Sequence, residues 1–182
     1  ISISYTKETT GTGTSWLAFA DTKKLSNDWD SLDWSSQTLH AIPNTPYPNT
    51  YISNLYLNNK QLTNVDVLSV LTGFGLDLNL GNNNLTNIDG LSSLTSGANL
   101  YLNNNQLTNV DGLSSLTMLV GSLYLNNNQL TNISGLAKLL VLNSIRIDAS
   151  FNGPKLAANS RFCTLNTTSK FEAGFAQKTQ LC

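Results

Sequence analysis

The sequence predicts an α/β solenoid of about six coils, with a short parallel sheet on one side and loops or short 3-10 turns on the other. Two observations carry this. One phrase occurs four times in near-copy: Leu55-Tyr-Leu-Asn-Asn-Lys-Gln-Leu-Thr-Asn-Val, Leu78-Asn-Leu-Gly-Asn-Asn-Asn-Leu-Thr-Asn-Ile, Leu100-Tyr-Leu-Asn-Asn-Asn-Gln-Leu-Thr-Asn-Val and Leu123-Tyr-Leu-Asn-Asn-Asn-Gln-Leu-Thr-Asn-Ile. From one copy to the next, the spacing of the first leucines differs by no more than a single position. A near-constant period of this length belongs to chains whose units bury their apolar side only by stacking on one another. The second observation is the pattern inside each copy, where leucines alternate as in a strand with one buried face and then recur at wider spacing.

Counting from the first Leu as position 1, the strand leucines at positions 1 and 3 are Leu55/Leu57, Leu78/Leu80, Leu100/Leu102 and Leu123/Leu125. Position 8 is Leu62, Leu85, Leu107 and Leu130; position 11 is Val65, Ile88, Val110 and Ile133. Position 14 is Leu68, Leu91, Leu113 and Leu136; position 17 is Leu71, Leu94, Leu116 and Leu139. Stacking turns each position into a column. Position 6 is Asn83, Asn105 and Asn128, expected to form a buried ladder that satisfies backbone groups where the chain leaves the strand. The first copy has Lys60 there, so Asn59 is expected to shift or Lys60 to snorkel. Position 12 is Asp66, Asp89, Asp111 and Ser134, all residue types that cap a following turn. Calcium needs several converging oxygens, so no metal or other cofactor is expected from this column.

Weaker units flank the four. Leu32, Trp34, Leu39 and Ile42 precede Leu55, Leu57, Leu62 and Val65 by one period, and Ile145 and Ile147 follow Leu123 and Leu125. The organisation read from this is a cap segment over 1–31, a solenoid over 32–152 and a C-terminal cap over 153–182. Thr9 to Ser15 reads as a turn-rich linker. Trp16-Leu-Ala-Phe-Ala20, followed by Lys23 and Lys24, is expected as an amphipathic helix, and the Pro-rich stretch 43–50 as an extended loop.

Composition narrows the function classes. Charged residues are 12% of the chain and net charge is −1, so no basic stripe advertises nucleic acid or an anionic membrane. No apolar run is long enough to span a bilayer. No signal peptide is visible and the chain does not start with Met, so it reads as a mature product or an excised fragment. Cys163 and Cys182 are expected to close a disulfide over the end of the solenoid, implying a secreted or cell-surface setting; the alternative is two free thiols. No catalytic constellation is found. The single His, His40, lies in the degenerate first unit, and Glu occurs only at Glu8 and Glu172.

The pattern of leucines at positions 1, 3, 8, 14 and 17, a branched residue at 11 and Asn at 6 resembles the leucine-rich repeat, and most resembles its bacterial internalin class over about residues 32–152. That resemblance implies a secreted or surface protein that binds receptors along a concave sheet. The N-terminal segment, the first loop and the Cys-bearing tail depart from it.

Residues flanking the buried leucines point outward, so the expected ligand-binding residues are Tyr56, Asn58, Asn79, Tyr101, Asn103, Tyr124, Asn126, Arg146 and Asp148. Tyr with Asn is a recurring recognition pair. The phenol column is interrupted at Asn79 and Gly81, which leaves a shallow notch between Tyr56 and Tyr101. The expected function is recognition of a protein or carbohydrate ligand by a monomer, with no catalysis, nucleic acid or membrane insertion. The competing explanation is that Tyr and Asn are filler retained by repeat duplication. Two alternatives stay open: an ice-binding face made by Thr63, Thr86, Thr108 and Thr131, or a structural spacer within a larger adhesin.

Overall fold

A computed structural model describes the backbone of residues 5–10, 13–18, 32–33, 51–148, 151, 153–158, 160–165, 170–171 and 181–182, and the side chains of 51–148, 151, 153–158, 160–164 and 181–182. Trp34, Leu39, His40, Ile42, the loop 43–50 and Ala149 lie outside these residues.

The chain opens with an antiparallel hairpin of β1 (Tyr5–Thr10) and β2 (Gly13–Ala18), paired from Tyr5↔Ala18 to Thr10↔Gly13. This corrects two expectations: Trp16–Ala18 belongs to a strand, and most of the expected linker is strand too. The reason is visible in the text. Thr is frequent on both sides of Gly11-Thr12, and a two-residue connection beginning with Gly is a hairpin signature.

The other strands are parallel. In chain order they are β3 (Leu32–Asp33), β4 (Tyr51–Tyr56), β5 (Gly73–Asn79), the broken rung β6 (Ser96–Gly97) with β7 (Asn99–Tyr101), β8 (Met118–Tyr124) and β9 (Val141–Arg146). The tail adds β10 (Lys170–Phe171) beside β9. Register follows the repeat: Leu32 pairs Leu55, then Leu78, Leu100, Leu123 and Ile145 in succession. The weak first and last units are thus in line with the four regular ones.

All six predicted apolar columns are buried and join one core, with only Leu130 partly exposed. Each fully buried Leu contributes roughly 1.5–3 kcal/mol relative to an exposed one. The strands begin earlier than the repeated phrase, and their upstream arms add a further core column of Ile52, Phe74, Leu119 and Leu142. In the third unit this column is Gly97, and a Cβ there would overlap the Phe74 ring. The largest side chain of the column is therefore matched by the smallest residue on the neighbouring strand.

These arms also absorb the small variation in the period. Units beginning at Leu78 and Leu123 follow the longer spacing, and they carry one extra residue between the arm and the repeated phrase. Register shifts there in β4/β5 and β8/β9. Leu76 and Val120 occupy these irregular segments and are 60% and 59% exposed. An extra residue in one strand of a pair leaves the buried faces on either side of it aligned.

Short 3-10 turns follow at Asp66–Val70, Asp89–Leu91, Asp111–Leu113 and Ser134–Leu136. The expected capping by position 12 is not what the structure shows. Those residues are the first of each turn, and the residues before them are Val65, Ile88, Val110 and Ile133, which offer no side-chain cap. The acceptors come from position 10: Oδ1 of Asn64, Asn87, Asn109 and Asn132 receives the N–H two residues on, at 3.4, 3.2, 3.0 and 2.8 Å. This is an Asx turn, in which a short amide side chain substitutes for a backbone carbonyl.

The Asn ladder is present as expected. Asn105 Nδ2 donates to the carbonyls of Leu80 (3.0 Å) and Leu102 (3.1 Å), and its Oδ1 accepts the Leu85 N–H (3.1 Å). Asn83 and Asn128 bridge their own and the preceding unit in the same way. Lys60 does not snorkel; it is 5% exposed, and its backbone N–H donates to Asn83 Oδ1 at 2.9 Å.

At the far end, α1 (Arg161–Leu165) carries the fully buried Phe162, whose N–H donates to the Ala137 carbonyl at 3.3 Å. Cys163 and Cys182 form a disulfide, 19 residues apart in sequence. In a chain-entropy account, closing a loop of that size contributes about 3 kcal/mol. Among the described residues no helix is long and apolar enough to cross a membrane.

Candidate functional site

Parallel register sets the predicted second-position column side by side: Tyr56, Asn79, Tyr101, Tyr124 and Arg146 occupy neighbouring strands in that order. Their side chains are half-buried on the outward face of the sheet. The Tyr101 and Tyr124 rings stack with centroids 4.6 Å apart and planes 4° apart. The Arg146 guanidinium lies 5.0 Å from the Tyr124 centroid. Three predicted residues thus form one continuous stack, held by ring–ring and cation–π attraction.

Asn58, Asn103 and Asn126 are also half-buried at position 4. Asp148, at the same position in the last unit, is committed to structure: its carboxylate accepts the N–H groups of Asn127 (2.9 Å) and Asn128 (3.3 Å). Position 5 is turn chemistry. Asn59, Asn82, Asn104 and Asn127 adopt φ of 59°, 55°, 55° and 57°, a region in which Asn is favoured among residues with a Cβ. Their amides link along the stack, Asn104 to Asn82 at 2.8 Å and Asn127 to Asn104 at 2.6 Å.

One outward column escaped the sequence reading. The residues just before position 1 are Asn54, Asp77, Asn99, Ser122 and Ser144, and they form a polar chain. Asn54 Oδ1 accepts the Asp77 N–H (3.1 Å), and Asn99 Nδ2 donates to Asp77 Oδ1 (3.0 Å). Asn99 Oδ1 accepts the Ser122 N–H (3.0 Å), and the Ser144 hydroxyl donates to that of Ser122 (2.7 Å). Tyr56 Oη crosses to this column and donates to Asp77 Oδ2 at 2.8 Å. Carrying the strand alternation one step upstream of Leu55 would have found all five.

Further upstream the face turns apolar, with Tyr51, Leu76, Met118, Val120 and Val141 exposed. The outward surface is therefore an apolar strip beside a Tyr/Asn strip.

Burial holds the Tyr101 phenol above its ordinary pKa of 10.0, and the charges of Asp77 and Tyr124 add to this. Asp77→Asn is expected to bring the Tyr101 phenol down toward the ordinary value in an ultraviolet titration; no change would place the carboxylate outside its reach. The native state keeps this proton longer than the unfolded chain does. Its stabilising effect is therefore present below the ordinary phenol pKa and is lost as pH rises through the raised value.

Thr63, Thr86, Thr108 and Thr131 are all exposed. Thr131 Oγ1 donates to the Thr108 carbonyl at 3.2 Å. A second column behaves the same way, with Thr95 Oγ1 on the Thr72 carbonyl (2.9 Å) and Thr117 Oγ1 on that of Thr95 (3.1 Å). Among the described residues no group of three or more His, Cys, Asp or Glu could hold a metal ion.

No protein-family model matches the chain. A search of curated proteins returns no significant match.

Proposed function

We propose that the stack is a leucine-rich-repeat solenoid of internalin-like period, and that it works as a non-enzymatic recognition module. It binds a protein or glycan across the concave side of its sheet, in a secreted or cell-surface setting. The observation that carries this reading is the outward column of Tyr56, Tyr101, Tyr124 and Arg146, in which rings and guanidinium stand on a rigid sheet beside unburied amides. Rigid aromatic groups give contact area at low cost in side-chain entropy, and adjacent amides supply adaptable hydrogen bonds. The apolar strip beside them extends the surface in the way binding patches do. The disulfide is consistent with an oxidising environment.

The test is Tyr101→Ala combined with Tyr124→Ala. Partner capture measured by surface plasmon resonance is expected to fall at least about a hundredfold, with circular dichroism unchanged, since central aromatic anchors each contribute about 2 kcal/mol or more. Capture at wild-type strength would move the site off this face.

A second reading is favoured by the exposure of all four Thr at position 9, one per strand step: a surface that orders water against ice. The Thr131 bond to the preceding carbonyl supports ordinary loop chemistry instead. Thermal hysteresis decides between them, since only an ice-binding surface produces it.

A further inference from the structure

We propose that Asn84 is a glycosylation site, the attachment point of an N-linked oligosaccharide on the loop that follows β5. This goes beyond the recognition reading but rests on its secreted setting, because the modification is made on chains that enter a secretory compartment.

The acceptor pattern is Asn, any residue but proline, then Ser or Thr. Asn84-Leu85-Thr86 fits it, as do Asn132-Ile133-Ser134 and Asn166-Thr167-Thr168. In a chain rich in Asn and Thr such triplets arise readily, so the fold has to separate them. The repeat does not supply the first of these, since the residue at this position is Gln61, Gln106 and Gln129 in the other regular units. Asn84 is shorter than those glutamines by a methylene, and that change creates the triplet. Asn166 lies outside the described residues.

The loop presents Asn84 outward. Asn83 is buried in the amide ladder and Leu85 in the core, while Asn84 and Thr86 are exposed. The Asn84 backbone N–H donates to the Leu62 carbonyl at 2.8 Å, which pins the main chain and leaves the side chain to solvent. Among the described residues neither the Asn84 amide nor the Thr86 hydroxyl takes part in a hydrogen bond. Both groups stay available to a transferase, and a sugar on Nδ2 breaks no bond of the fold. Asn132 is placed differently. It is half-buried, its Oδ1 accepts the Ser134 N–H at 2.8 Å, and Ser134 Oγ donates to Asp111 Oδ1 at 3.2 Å. Both polar groups of that triplet are already used within the stack of turns.

The transfer joins Asn84 Nδ2 to C1 of the first sugar of a polyprenyl-pyrophosphate-linked oligosaccharide. The bond from C1 to the pyrophosphate oxygen breaks, and the lipid pyrophosphate leaves with that oxygen. Nδ2 gives up one proton, which the departing phosphate or solvent takes up. The attached glycan is bulky and hydrophilic. It stands beyond the end of β5 and beside Thr86, so it covers part of the column Thr63, Thr86, Thr108 and Thr131. Tyr101 and Tyr124 lie on the sheet, ahead of the turns at Asn104 and Asn127, and stay open. Glycosylation at Asn84 therefore suits the recognition reading and not the ice-binding one.

The test is peptide mass spectrometry of the protein purified from the cells that make it. Peptide N-glycosidase in heavy-oxygen water converts each glycosylated Asn to a labelled Asp, and label is expected at Asn84. Expressed in the same cells, Asn84→Gln and Thr86→Ala are each expected to lose that glycan completely, and Thr86→Ser to keep it. Asn84→Gln carries the residue of the other regular units, so its circular dichroism is expected to match that of wild type; Thr86→Ala serves should it fail to fold. An Asn84 peptide without label overturns the proposal, as does label found only at Asn132 or Asn166. The cysteines in the same sample show what falls with it. A closed Cys163–Cys182 bond leaves the secreted setting standing, whereas two free thiols remove that setting too.

Discussion

Replacing Asn105 with alanine is expected to lower the unfolding free energy by about 3–5 kcal/mol, a large share of the stability of a domain of this size. The side chain is buried and makes three good bonds: to the Leu80 and Leu102 carbonyls and from the Leu85 N–H. Removing it leaves all three backbone groups without that partner, and each buried unsatisfied group costs about 1–3 kcal/mol. Two of the three belong to the unit before, so the loss severs a tie between units as well as one inside a unit. Asn105→Asp is expected to recover only part of this. A carboxylate can accept from Leu85 but cannot donate to the two carbonyls. Urea denaturation followed by circular dichroism checks both. An Asn105→Ala variant within about 1 kcal/mol of wild type would show that the ladder is decorative.

Gly112→Ala is expected to cost about 3 kcal/mol or more, although alanine is ordinarily the better residue in a turn of helix. A Cβ on Gly112 would overlap the carbonyl oxygen of Ile88 in the preceding turn. Gly90 and Gly135 meet Val65 and Val110 in the same way. The obstacle in each case is backbone, which cannot swing aside as a side chain does. The 3-10 turns therefore stack with glycine as the spacer, and a methyl group forces adjacent units apart. The first regular unit has Val67 at this position. Transplanting that valine as Gly112→Val is accordingly expected to be worse than Gly112→Ala. Thermal unfolding of the two variants gives the order; equal midpoints for wild type and Gly112→Ala would mean the turns are not in contact.

Columns at a constant offset from the first leucine were legible in the sequence because repetition marks them. Leu85, Asn105 and Tyr124 needed only counting, and register then made neighbours of residues one period apart. The Cys163–Cys182 bond followed from there being only two cysteines, both after the repeats. The arm residues were hidden because the segment before each repeat varies in length. Phe74 and Leu119 pair with Ile52 and Leu142 in space, but they stand four residues before Leu78 and Leu123, whereas Ile52 and Leu142 stand three before Leu55 and Ile145, because Leu76 and Val120 are inserted. The polar chain through Asp77 was lost for a related reason, since Asn54, Asp77, Asn99, Ser122 and Ser144 share polarity but no single identity.

Two expectations failed because residue types were weighed in isolation. Asp66, Asp89 and Asp111 are good caps by type, yet each is the first residue of its turn and so stands one place past the capping position, and its own N–H is bound by the Asn two residues earlier in an Asx turn. Trp16-Leu-Ala has the apolar look of a helix face, but its β-branched neighbours and the Gly-first connection favour a hairpin. Half of the candidate surface was therefore visible as a Tyr/Asn column, and the carboxylate beside it was not.

The most direct test of in-register stacking is a nuclear Overhauser spectrum of the labelled chain, searched for cross-strand contacts along the first leucine column. The expected result is contact of Leu78 with Leu100, Leu100 with Leu123, and Leu123 with Ile145, together with ring contacts between Tyr101 and Tyr124. Contacts confined to near neighbours in the chain, or leucines paired at any separation other than one period, would contradict it.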